Sequence, residues 1–235
     1  MSLLDKFFKR SLPSSILGQQ ISSTLPEGMI IPVPLERLFQ WIEANGFYSD
    51  EPAGRIGYIC PIRFLHEERA DDGRAGGTEI LFRRPLSPEY GYFFRDASAE
   101  VRNRFHVFAR SGGDGSVVAF WLDPSTETQK IVHVGSGSGS VLQCVLADDA
   151  VDFLRLLAVG YDEISFADFS APPPTEDEFV VAPFPPFQRW VADTFQVEIP
   201  STGSEIVRFP SSMDDDSSPD PFWRWVREVV WASET

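Results

Sequence analysis

The sequence predicts an α+β fold in which an antiparallel-rich central sheet is flanked by helices in a single domain. Glycine-rich loops join two pairs of apolar, strand-like runs in the middle of the chain, which is typical of antiparallel hairpins. Runs with helical spacing precede and follow these hairpins. The 235 residues, 43% of them hydrophobic, are enough to build one core.

The first well-marked helix is predicted over residues 34–44. Pro34 suits a first-turn position, and Asn45-Gly46 supplies an end. Between them, apolar side chains recur at helical spacing: Leu35, Leu38, Phe39 and Ile42.

Residues 1–30 are expected to form an N-terminal arm. Its first ten residues combine Lys6, Lys9 and Arg10 with leucine and phenylalanine, as a weakly membrane-seeking helix would. A single turn of this kind binds a bilayer poorly, so a short docking helix or a frayed tail is the favoured interpretation.

Two strands are predicted before the middle of the chain, at residues 56–62 and 78–83. The loop between them, residues 67–77, is rich in charge and glycine. It is therefore a candidate for disorder or for contact with a partner.

The central hairpins have turns that carry the glycines needed for positive φ, Ser111–Ser116 in the first and Gly135–Ser140 in the second. Their strands are predicted at 104–109, 117–122, 130–134 and 141–146. A phosphate-binding role for the second turn is disfavoured, because an apolar strand and not a helix follows it.

Three helices are predicted in the C-terminal half, at residues 148–160, at 187–195 and after Asp220-Pro221. A proline-rich acidic connector, residues 171–178, precedes the second, and a polar acidic linker, residues 211–220, precedes the third. The last helix is apolar almost all round, so it is expected to dock on the body or on a second subunit.

The formal net charge of −15 is concentrated in the second half of the chain. Residues 1–118 hold 14 Lys and Arg against 15 Asp and Glu, whereas residues 119–235 hold 6 against 20. Such a field disfavours nucleic acid and anionic membranes as partners and attracts basic proteins, although a contribution to solubility alone is the simpler explanation.

The chain has neither a transmembrane run nor a secretory signal, and a cytoplasmic location is expected. Cys60 and Cys144 lie in apolar strand-like runs and are expected to be buried free thiols.

We expect no catalytic residue, cofactor or metal site. The three histidines, His66, His106 and His133, lack metal-ligand spacing, and the glycine–serine turn lacks the nucleophile-elbow pattern. Paired carboxylates are abundant, but nothing marks one pair as desolvated.

Three runs together resemble the SUKH superfamily, which includes fungal cell-wall-synthesis regulators and bacterial immunity proteins. They are 108–116 with Phe120–Asp123, 131–135 leading into 150–161, and Phe187–Phe195 with 197–200. The resemblance, over roughly residues 105–200, implies an α+β fold, and we expect a SUKH-like domain over residues 31–210. The residues themselves predict an acidic linker and a docked C-terminal helix over 211–235. The resemblance also implies an intracellular adaptor without a catalytic motif, most often one that neutralises a cognate toxin.

The leading hypothesis is therefore an immunity protein that occludes a toxin domain, such as a basic nuclease. The candidate contact residues lie near one helix and its exit: Asp148, Asp149, Asp152, Asp162 and Glu163. For the first three, helix capping is an equally good explanation. A regulatory or scaffold protein without a toxin partner is the alternative, and an enzyme of unrecognised type is the third possibility.

Overall fold

The computed structural model describes residues 15–66, 77–86, 98–174 and 183–231, with only the backbone of His66 and Glu100. It confirms the α+β fold class. A seven-stranded antiparallel sheet has the order β1-β2-β3-β4-β5-β6-β7, so each strand pairs with its neighbours in sequence. The strands are β1 (Tyr48–Glu51), β2 (Gly54–Gly57), β3 (Leu81–Phe82), β4 (Phe105–Arg110), β5 (Val117–Asp123), β6 (Thr128–Val134) and β7 (Gln143–Ala147).

Both predicted central hairpins are confirmed, as β4–β5 and β6–β7. Successive apolar side chains along these strands point to opposite faces of the sheet, so both faces are apolar. On β5, Val118 and Phe120 join the core on one face, whereas Ala119 and Trp121 join the core on the other. The sheet is therefore covered by helices on both sides.

The helices are α1 (Ile16–Ser22), α2 (Val33–Ala44), α3 (Arg63–His66), α4 (Ala99–Asn103), α5 (Ala150–Val159), α6 (Pro185–Phe195) and α7 (Pro221–Trp225). A π-helical turn, Val226–Val230, extends α7. The predictions of α2, α5, α6 and the C-terminal helix are thus confirmed. α5 ends at Gly160, which has φ 97° and lies so close to Pro183 that a Cβ there would be 2.3 Å from the proline side chain.

The larger core lies between one face of the sheet and helices α1, α2, α5 and α6. Phe39, Phe108, Phe120 and Phe153 are fully buried in it, and Phe108 stacks on Phe120 with ring centroids 4.1 Å apart. Burial of these aromatic side chains stabilises the fold by about 2–3 kcal/mol each.

The C-terminal helix covers the opposite face of the sheet, where it docks on the body of the same chain. Phe222, Trp223 and Trp225 pack there with Trp121, and the ring centroids of Trp121 and Phe222 are 5.3 Å apart. Asp220 caps this helix by accepting a hydrogen bond from the N–H of Trp223 at 2.8 Å.

The predicted linker at 211–220 is instead an ordered strip along the free edge of β7. The N–H of Gln143 donates to the carbonyl of Ser211, and the N–H of Val145 donates to Asp220. Backbone donors that an edge strand would expose are thereby satisfied. Ser211, Ser218 and Asp220 are buried.

The described part of the predicted N-terminal arm belongs to the domain. Leu17 and Ile21 on α1 are fully buried, and Glu43 of α2 accepts hydrogen bonds from the N–H groups at the start of α1. The β1–β2 hairpin was not predicted. Its four-residue strands lack the apolar alternation of the central hairpins.

Three predicted segments lie wholly or partly outside the described residues: residues 1–14 of the arm, most of the 67–77 loop, and residues 175–178 of the connector. Across the described ranges, no helix has the length and apolar character needed to span a bilayer.

Candidate functional site

The meander brings the β4–β5 turn, the β6–β7 turn and the exit of α5 to one end of the sheet. We define the acidic end as residues 111–116, 135–142 and 161–174, together with Glu79. Two hydrogen bonds to backbone carbonyls join these segments: Ser140 Oγ donates to the carbonyl of Ser165 at 2.6 Å, and the N–H of Glu79 donates to the carbonyl of Asp162 at 2.7 Å.

Asp114 ties the two hairpin turns together. It accepts hydrogen bonds from the N–H and hydroxyl of Ser116 at 3.0 and 2.8 Å, from the Ser136 hydroxyl at 2.8 Å, and from the Ser140 N–H at 2.8 Å. Burial opposes ionisation of this carboxyl, but these hydrogen bonds outweigh it and lower its pKa to about 2. The carboxylate is therefore a structural anchor at neutral pH.

A buried pair, Ser111 and His133, contacts Ser165 in the segment that follows α5. The carbonyl of Leu142 can only accept, so Nδ1 of His133 donates to it at 2.9 Å, and Nε2 accepts from the Ser111 hydroxyl at 2.9 Å. Ser165 Oγ lies 3.3 Å from the same nitrogen. Burial lowers the pKa of His133 to about 4. Ser111 and His133 are 0% exposed, so this pair offers no accessible nucleophile.

Among the described residues, Glu163 is the one carboxylate with a buried oxygen that has no hydrogen-bond partner. Its Oε2 is buried without a hydrogen-bond partner and lies against Gly112, where an added Cβ would be 2.5 Å away. Burial, followed by the nearby carboxylates of Glu79, Asp162 and Asp114, raises the pKa of Glu163. A cation beside this group would offset the repulsion from the neighbouring carboxylates.

An open groove of about 440 Å³ runs beside Glu163. Its apolar walls are Tyr161, Phe166, Ala167, Ala171, Pro172 and Pro174, and its carboxylates are Asp162, Glu163 and Asp168. Phe166 is 61% exposed, and Val141, in the neighbouring hairpin turn, is 41% exposed. Apolar side chains edged by charge are typical of a protein-binding surface.

The five predicted contact residues form two groups at opposite ends of α5. The helix has ten residues and is therefore about 15 Å long. Asp162 and Glu163 lie in the acidic end. Asp148, Asp149 and Asp152 lie at the other end of the helix. Their role as partner contacts stays a prediction.

The second group has internal partners. Asp148 contacts Lys130 and Arg208, each at 3.0 Å, and Asp152 contacts Arg155 at 2.6 Å. Asp149 caps α5 by accepting the N–H groups of Val151 and Asp152. The capping explanation considered from the sequence is thus confirmed for Asp149.

Sequence reasoning missed Asp114, Asp168 and Phe166 as members of this site. The signal for Asp114 was the strand order itself, because a strict meander places every second turn at the same end of the sheet. Phe166 ends a short 3₁₀ turn, Ile164–Phe166, and Asp168 follows it; this turn has no strong sequence pattern.

His106, Cys60 and Cys144 are buried in the fold. His106 is buried and lies 3.2 Å from Thr24 Oγ1, and both cysteines are buried free thiols, as predicted. Burial raises the pKa of the Cys60 thiol to about 12. In the part of the chain that the structure describes, no group of three His, Cys, Asp or Glu side chains is arranged to hold a metal ion.

No protein-family model, no curated protein and no solved structure matches this chain.

Proposed function

We propose that this protein binds a basic toxin domain and neutralises it by occlusion, and that the acidic end of the sheet is the binding surface. The protein acts by covering a macromolecule and not by transforming a substrate. The proposal places it in the cytoplasm, where a delivered toxin acts. The resemblance to the SUKH superfamily points in the same direction and remains an expectation.

The distribution of ion pairs is the observation that most directly supports this proposal. Residues 119–231 contain six Lys and Arg residues, and five of them form ion pairs within the chain: Lys130, Arg155, Arg208, Arg224 and Arg227. None of these cations pairs with Asp114, Glu163 or Asp168. The segments 111–116, 135–142 and 161–174 contain no Lys or Arg at all.

A surface with an excess of carboxylates attracts a basic partner and increases its association rate. A toxin that acts on nucleic acid has a basic cleft for the phosphate backbone, and an acidic surface competes for that cleft. The exposed side chains of Phe166 and Val141 supply apolar area that excludes water around the charges.

Co-expression with the product of the adjacent reading frame tests the class of function. We expect the protein to rescue growth and to co-purify with the neighbouring toxin domain. Co-purification without rescue would favour the regulatory or scaffold alternative. Neither binding nor rescue would contradict the immunity proposal.

A further inference from the structure

We propose that the groove of the acidic end binds an extended, arginine-containing segment of the partner, with one guanidinium stacked on Phe166 and paired with Glu163. This inference rests on the proposed function and names the partner chemistry that the site recognises. It is carried by the shape of the groove, by the placement of one aromatic ring and by the charges around it.

The groove is built before any partner arrives. The Tyr161 hydroxyl donates to the carbonyl of Ala171 at 2.7 Å and accepts the N–H of Gly203 at 2.8 Å, which fixes the loop between residues 161 and 171. Asp168 closes a turn by accepting from the N–H and hydroxyl of Ser170. A preformed groove reduces the entropic cost of ordering the site on binding.

The 3₁₀ turn forces Phe166 outward. Ile164 is buried in the core, and the hydroxyl of Ser165 donates to the carbonyl of Ser111 at 3.2 Å. With its two predecessors held inside, Phe166 projects into solvent at the groove. An exposed aromatic ring is a platform for a flat cation.

Three carboxylates line the same groove as the Phe166 ring. Glu163 and Asp168 line the same groove as Phe166, and Asp162 completes its acidic edge. Arginine suits this combination better than lysine, because its planar, weakly hydrated guanidinium stacks on a ring while its N–H groups donate to a carboxylate. Proline walls at Pro172 and Pro174 have no backbone N–H to compete for those carboxylates.

A labelled nonapeptide with three arginines in an alanine and glycine background is the probe, and fluorescence anisotropy at several salt concentrations is the readout. We expect the wild-type protein to bind it and to bind the citrulline-substituted peptide at least about tenfold more weakly, because citrulline keeps the shape but loses the charge. We expect Phe166→Ala and Glu163→Gln each to weaken binding of the arginine peptide about three- to tenfold.

Two matched variants serve as controls. Phe209→Ala removes another exposed phenylalanine, and Asp193→Asn removes another exposed carboxylate, both outside the groove. We expect both controls to bind within about twofold of wild type. Equal losses in all four variants, or no loss at Phe166 and Glu163, would overturn the groove inference, and so would equal binding of the citrulline peptide.

The outcomes separate this inference from the proposed function. If the groove variants still rescue growth and bind the toxin domain at wild-type strength, the inference fails and the immunity function stands. If the arginine peptide binds the groove but no toxin is neutralised, the immunity function fails and the groove remains a site for arginine-containing segments.

Discussion

The two ends of α5 carry similar numbers of carboxylates but use them differently. At its start, Asp148 and Asp152 contact cations and Asp149 caps the helix. Beyond its exit, Glu163 has a buried oxygen without a hydrogen-bond partner, and Asp168 and Phe166 face an open groove. A count of acidic residues therefore does not measure the charge available to a partner. The available charge depends on where the few cations lie.

The largest expected effect in this comparison is at Asp114, because it holds the turns that build the acidic end. Asp114→Ala leaves several donors at the hairpin turns without an acceptor, and we expect it to lower the free energy of unfolding by about 2 kcal/mol at pH 7. Urea denaturation measures this change.

The pH dependence of that effect has a definite sign. The pKa of Asp114 is about 2 in the folded protein, below its ordinary value of 3.8. Its contribution to the free energy of unfolding is therefore present above pH 3.8 and is lost as the pH falls to about 2. The difference between wild type and Asp114→Ala should shrink over that window. Asp168→Asn, at an exposed turn, should leave the melting temperature unchanged. Equal destabilisation by both changes would contradict the anchoring role of Asp114.

A smaller effect is expected at the other end of α5. Asp149→Ala removes the cap, and we expect a loss of about 1 kcal/mol, or a melting temperature lower by about 2–4 °C. Differential scanning calorimetry provides the measurement, with Asp193→Ala on the exposed face of α6 as the control. If Asp149→Ala lowers the melting temperature no more than Asp193→Ala does, the Asp149 cap does not stabilise the protein.

The smallest effect is expected at Glu163, and it has the opposite sign. Burial raises the pKa of Glu163, so the folded protein holds this proton more tightly than the unfolded chain. Its contribution to the free energy of unfolding is therefore favourable at low pH. That contribution declines as the pH rises from about 4.5, the ordinary pKa, through the higher pKa of the folded protein. Glu163→Gln should remove that decline and raise the melting temperature at pH 7 by at most about 2 °C. A lower melting temperature would show that favourable contacts of the carboxylate, such as its hydrogen bond with the Gly113 backbone, outweigh burial and repulsion.

The hairpins and long helices could be predicted because their signals are local. The glycines of 111–116 and 135–140 allow tight turns, and the flanking runs are apolar. α1 was assigned to an arm because its apolar residues, including Leu17 and Ile21, form too short a run to stand out. The pairing of residues 211–220 with β7 depends on tertiary contacts and has no sequence pattern of its own.

The candidate site could be predicted only in part, for the same reason. Asp162 and Glu163 stood out because they follow a clear helix end at Gly160. Which carboxylates pair with cations could not be predicted, since the contacts of Lys130 and Arg208 with Asp148 join distant parts of the chain. The groove likewise depends on how Tyr161 bonds to Ala171 and Gly203.

Association kinetics with the toxin domain from the co-expression test most directly test the claim that the acidic end is the binding surface. Two double variants remove the same charge, Asp162→Asn with Glu163→Gln at the acidic end and Asp148→Asn with Asp152→Asn at the start of α5. We expect the first to lower the association rate constant about tenfold at low salt and to reduce its salt dependence, and the second to stay within about twofold of wild type. Equal rates for the two variants, or a larger loss for the second, would contradict that claim.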